Sequence, residues 1–187
     1  MNLLTIMILA IAVALVTFPT YITSGVILIH EKSGSKLRFI AIMVSVQALM
    51  LGLGIVLGMN VGRISEASNK LMALSILMIF GLKVLLDSLR VRPQEKAFDT
   101  SDLKVLMLLS LAESIVPMAV AIAVGLMTET FLTPWLSFIA MQGIAIVGGL
   151  FTGGQMGTAS FKLRTGPIGG LFLIAASLQM IISMISY

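Results

Sequence analysis

Glu113 stands about ten residues into an apolar stretch that begins near Leu103. At the middle of a bilayer such a carboxylate costs about 2.5–3.5 kcal/mol on insertion scales, so it must face protein, be paired or be protonated. A cation or proton site fits that position. A structural hydrogen-bond anchor, with Lys83 as a partner, fits it as well. Gln47 and Gln142 sit at corresponding depths of two further apolar stretches. Their amides could offer carbonyl oxygens to a hard cation or to water, or could tie neighbouring helices together. Pro19 is surrounded by Thr17, Thr20 and Thr23, and Pro117 follows Ser114. Proline leaves the carbonyl four residues earlier without its donor. Such carbonyls in interrupted helices can bind cations, and nearby hydroxyls can equally satisfy the break. Lys83 and Asp87, four apart, share one helix face. An ion pair, snorkelling to the interface and a place in a pathway are all open to them. The expected ion or substrate pathway is therefore Glu113, Gln47, Gln142, Thr17, Thr20, Ser114 and Lys83. Pro19 and Pro117 are the expected helix breaks, and Glu113 is the candidate metal ligand.

The elements that position these residues are hydrocarbon-soluble. Of 187 residues, 58% are apolar and only 11% are charged, whereas soluble domains carry about 25%. Lipid must be the main solvent. There is no Cys, which excludes disulfides, thiolate metal sites and Cys nucleophiles. The single His, His30, stands beside Glu31 and Lys32 and rules out a His-rich metal site. The 14 Met read as core filler or lipid-facing side chains. No phosphate loop, catalytic triad or metalloprotease motif is present, so no enzyme is expected, and no resident cofactor.

Six spans of about 20 residues account for nearly the whole chain. They are expected near Leu3–Ile29, Phe39–Val61, Leu71–Leu89, Leu103–Leu126, Trp135–Phe151 and Ile168–Ile185. The first has no basic lead-in and no small-residue cleavage site, so it reads as a membrane helix. Thr100, Ser101 and Asp102 offer N-cap chemistry to the fourth. Lys32, Lys36, Arg38, Arg90, Arg92, Lys96, Lys104, Lys162 and Arg164 flank the odd-numbered connections. Only Arg63 and Lys70 occupy the opposite side. That bias puts the odd connections in the cytoplasm and both termini outside it. It also explains the net charge of +4 without a nucleic-acid partner.

An internal repeat runs through the chain. Gln47, Gly54, Gly58 and Gly62 recur as Gln142, Gly149, Gly153 and Gly157, each 95 residues on. Pro19 and Pro117 are 98 apart; Lys83 and Gln179 are 96 apart. Three spans per half is an odd number, so the second half must be inverted across the membrane. The expected fold is an all-α integral membrane protein of six helices in two inverted three-helix repeats, 1–92 and 103–187, joined by a cytoplasmic linker, 93–102. Secondary transporters use this plan, with the substrate near the midplane where the repeats meet. The glycine ladders read as close helix packing.

The segments IFGLKVLLDSLRV (Ile79–Val91), SIVPMAVAIAVGL (Ser114–Leu126) and GGLFLIAASLQMIISM (Gly169–Met184), with the MNLL start, the Leu37–Arg38 pair and the twofold repeat, carry a resemblance over the whole chain. The chain resembles the manganese efflux pump family (MntP) of the LysE-like transporter superfamily. The resemblance implies transport of a divalent cation such as manganese, and acidic ligands in the first and fourth spans. The fourth-span position is Val116 here, and the first-span position is Val16 or Phe18. A family glutamate before Leu-Arg falls at Ser35, and one in the second span falls at Gln47. Glu113, about one turn before Val116, would be a displaced ligand.

Two readings follow. One is a small secondary transporter of the inner or plasma membrane that exports a divalent cation or other small solute. The other is a non-transporting accessory or scaffold subunit of a larger membrane complex. Lipid is the expected partner of either, and a second copy or a complex subunit is compatible with both.

Overall fold

The computed structural model describes residues 3–31, 33–62, 65–89, 102–156 and 170–175. Helix α1 spans Leu3–Ile27 and tightens into a 3-10 turn at Leu28–His30. Helix α2 spans Ser33–Val61, α3 Glu66–Leu89, α4 Leu103–Glu113, α5 Ile115–Gly125 and α6 Leu132–Met156. Residues 170–175 are helical as well. Among the described residues there is no strand. Five stretches are long and apolar enough to cross a membrane, α4 and α5 together forming one of them. The chain is thus a multi-pass membrane protein. Large apolar side chains such as Leu49, Leu53, Ile79, Leu108 and Ile144 lie exposed on the bundle's surface, where a bilayer solvates them.

Helix α2 begins six residues before the expected span, α3 five before and α6 three before. Hydropathy marks where a helix leaves lipid, whereas the backbone hydrogen-bond ladder continues into polar sequence. Pro134 does not delay α6, because it is the third helical residue, where no backbone donor is needed. Asp102 caps α4, its side chain accepting from the Lys104 amide at 2.9 Å. The rest of the expected linker lies outside the described residues, as does the expected sixth span apart from 170–175.

Only one of the two expected proline breaks occurs. Helix α1 runs on through Pro19. Hydroxyls serve the turns on either side: Thr17 donates to Ala14 O at 3.2 Å, and Thr23 to Pro19 O at 3.1 Å. The fourth span does break, between Glu113 and Ile115. Ser114 sits at the break with its side chain donating to Ser110 O at 2.6 Å. Pro117 has no N–H to give to the helical ladder at Glu113, so the ladder is interrupted at the residue that carries the carboxylate.

Two glycine seams hold the bundle. Against α6, Gly25 faces the Leu150 carbonyl, Gly149 faces Tyr21 and Gly153 faces the Ile22 carbonyl. Between α2 and α5, Gly125 faces the Ile55 carbonyl, Gly54 faces Ala121 and Gly58 faces the Ile122 carbonyl. A β-carbon at these positions would meet opposing backbone or Cβ atoms inside normal contact distance. Association in lipid relies on such close backbone approach, because hydrocarbon supplies no hydrophobic drive between helices.

The core falls into two apolar clusters. One holds Leu9 and Val13 of α1, Leu51 and Ile55 of α2, Ala73 and Leu77 of α3, Val120 and Val124 of α5, and Phe138 of α6. The other holds Tyr21, Leu28, Phe39, Met43, Leu106 and Ile146. Helices α1 and α6 therefore run from the first cluster toward the second, while α2 and the α4–α5 pair run the opposite way.

Candidate ion site at the polar belt

Where each helix passes from one cluster to the other, it places a buried polar residue. In α1 the order is Val13, Thr17, Tyr21; in α2 it is Met43, Gln47, Leu51; in α6 it is Phe138, Gln142, Ile146. The α4–α5 pair carries buried Ser110 and Ser114 between Leu106 and Val120. Each of the first three is a four-residue step, one helical turn, so the polar residue sits on the core-facing stripe, one turn from an apolar neighbour on either side. The result is a polar belt between two dry layers.

One face of α1 organises the belt. Thr17, Thr20 and Tyr21 are at i, i+3 and i+4, so their side chains project together. Each reaches a different helix. Thr17 Oγ1 lies 3.1 Å from Gln142 Oε1 of α6. Thr20 Oγ1 donates to Glu113 Oε1, the last residue of α4, at 3.0 Å. The Tyr21 hydroxyl accepts from Gln47 Nε2 of α2 at 3.4 Å. Glu113 also lies within electrostatic reach of Tyr21. The carboxylate is half-buried, whereas Tyr21, Thr17, Gln47 and Gln142 are buried.

The belt is not fully paired. Among the described residues, Gln47 Oε1 and Gln142 Nε2 are buried side-chain atoms without a hydrogen-bond partner. Buried polar groups are ordinarily satisfied, so two half-paired amides at repeat-related positions are a departure from ordinary core packing. A third such atom, Asn69 Oδ1, lies at the α2–α3 connection, where Asn69 Nδ2 donates to Gly62 O at 2.6 Å.

The donors that converge are all oxygens or amides: a carboxylate, two carboxamides, two threonine hydroxyls and a phenol. Such a set suits a hard cation, or a proton held on the carboxylate. Among the described residues, no group of three His, Cys, Asp or Glu side chains gathers as a metal cluster. Ser114 turns its hydroxyl onto its own helix. Lys83 is 56% exposed and lies 3.9 Å from Asp87, the snorkelling or ion-pair geometry expected of that pair. Val16 and Val116, the positions where acidic ligands are implied by resemblance, pack against the first apolar cluster, and Phe18 against the second. Tyr21 escapes sequence reasoning. A tyrosine in an apolar span has no motif, and its partner lies on the next helix. The one available signal was its spacing of four from Thr17.

Comparison with known proteins supplies the context. The family described as "Putative manganese efflux pump" matches residues 30–181. A protein named "Putative manganese efflux pump MntP" from Methanothermobacter thermautotrophicus is 27% identical over 187 residues, all of both chains. Its namesake from Bacteroides thetaiotaomicron is 28% identical over 184 residues, covering 96% of this chain and 95% of that protein. Another, from Methanospirillum hungatei, is 29% identical over 136 residues, covering 73% and 70%. No solved structure matches.

Proposed function

Because this chain belongs to the manganese efflux pump family, we propose that it is a secondary transporter exporting a divalent cation, manganese being the first candidate, through the polar belt. It is not an enzyme. Glu113 binds the cation or exchanges it for a proton. Gln47, Gln142, Thr17 and Thr20 line its path. The observation that carries this reading is the junction of three helices on one α1 face at the level where the apolar core divides. An ion crossing the protein would meet its only described polar layer there.

The reading includes two inverted repeats. The seam contacts of Gly25, Gly149 and Gly153 map onto those of Gly125, Gly54 and Gly58 by shifts of 100 residues between the first and fourth spans and 95 between the second and fifth. The opposed directions of α1 and α4–α5, and of α2 and α6, support the inversion. The belt then lies near the midplane, the odd connections are cytoplasmic, and both termini are outside.

The test is manganese flux into proteoliposomes holding the full chain. Wild type is expected to transport and Glu113→Gln to lose transport by about 100-fold or more, as expected of the sole described carboxylate in the belt. Flux that survives Glu113→Gln removes the carboxylate from the mechanism. One observation favours a second reading, an accessory subunit without transport: Val16, Phe18 and Val116 sit in apolar packing. Absence of flux in wild type, with a stoichiometric partner co-purifying, would favour it.

A further inference from the structure

Resting on that reading, we propose that Gln47 and Gln142 are a matched pair of neutral oxygen ligands, one from each half, which let a single carboxylate hold a divalent cation loosely enough to release it. An amide kept only to tie helices together would have both of its ends paired. Each of these has one end tied to α1 and the other unpaired: Gln47 through Tyr21 and Gln142 through Thr17. The two anchors are one turn apart on the face of α1 that also holds Glu113 through Thr20, so all three side chains attach to one strip of that helix.

The free atom of Gln47 is already a carbonyl oxygen. That of Gln142 is the NH2 group, and Thr17 can accommodate its reversal. The single hydroxyl hydrogen of Thr17 has backbone acceptors on its own helix, Ala14 O at 3.2 Å and Val13 O at 3.3 Å. With the hydrogen directed there, Thr17 Oγ1 accepts from Gln142 Nε2 after the amide turns over, and Gln142 Oε1 is released toward the belt. Loaded, the site then presents two amide oxygens and one carboxylate. Affinity of oxygen sites for divalent cations rises with the number of charged ligands. Amides in place of carboxylates keep the oxygen donors and lower the charge, which favours release.

The experiment titrates manganese alone into the full chain in detergent by calorimetry. The variants are Glu113→Gln, Gln47→Glu, Gln142→Glu, Gln47→Leu and Gln142→Leu. Melting is followed in parallel by the fluorescence of the single tryptophan. Each Glu variant is expected to tighten Kd about tenfold and each Leu variant to weaken it about tenfold, while each variant still melts in one cooperative transition. A Leu variant that does not fold is replaced by Gln→Asn, which keeps the amide but shortens its reach, and the same weakening is expected. Leu or Asn variants that bind as wild type does, while Glu113→Gln abolishes binding, overturn this proposal and leave the transport reading standing. Binding untouched by Glu113→Gln, or no binding by wild type, removes the transport reading itself and this proposal with it.

Discussion

The Thr20 hydroxyl and the Glu113 carboxylate meet at 3.0 Å, joining the middle of α1 to the last residue of α4. The contact ties the half-buried acid to the polar face of α1. Thr20→Val removes the donor at constant shape. It should cost about 1–3 kcal/mol of stability and reduce manganese flux, while Thr20→Ser should retain both. Thermal melting and liposome flux read the two effects separately.

Tyr21 and Gln47 form the equivalent tie to α2. Tyr21→Phe leaves Gln47 with neither end paired, so a loss of about 1–3 kcal/mol is expected. Adding Gln47→Leu removes the stranded amide and should recover part of that loss. A double-mutant cycle on melting temperature checks this; additive losses would show that the two groups do not interact.

Seam glycines and open glycines make a contrast, within α6 itself for Gly153 against Gly143 and Gly154. Gly58→Ala and Gly153→Ala drive a methyl into an opposing carbonyl, and each should destabilise by about 1–3 kcal/mol. Gly143 and Gly154 have open space where a β-carbon would go. Alanine there should be neutral or stabilising by up to about 1 kcal/mol through helix propensity. Unfolding of the four variants in one detergent makes the comparison.

Pro117→Ala returns an N–H to the Glu113 carbonyl and should fuse α4 with α5. Stability should hold or rise, since proline within a helix costs about 3 kcal/mol. Flux should fall as straightening the break re-aims the Glu113 side chain. Hydrogen exchange at residue 117, slow in the variant if the new bond forms, reports the fusion.

The absence of cysteine allows a clean test of orientation. Glu31 and Glu129 are exposed at opposite ends of the bundle. Glu31→Cys should react with an impermeant maleimide only from the cytoplasmic side, and Glu129→Cys only from outside. The reverse pattern would invert the assigned topology.

Hydropathy alone located α1, α2, α3 and α6, because a span must be apolar for its full length and little else in a chain is. Their polar ends were misjudged, since Gly34, Ser35 and Lys36 read as loop while the backbone is already helical. The break before Pro117 was legible from proline chemistry, but the same chemistry at Pro19 produced no break. Both helices pack along glycine seams, so packing does not separate the two cases; α1 has Thr17 and Thr23 hydroxyls on the turns beside Pro19. Gln47, Gln142, Thr17, Thr20 and Glu113 were legible as polar groups in lipid, and the structure brings them to one level. Ser114 and Lys83 were equally visible, yet the first bonds its own helix and the second lies beside Asp87. Which polar residues converge depends on helix rotation, which polarity does not encode.

Among the described residues, neither half of the chain owns a glycine seam. Helix α1 closes on α6, and α2 closes on α5, so among the described residues each glycine seam takes one member from before Leu89 and one from after Asp102. Severed after Leu89, the pieces would each leave their glycine grooves bare, yet when made together they should knit into a working protein.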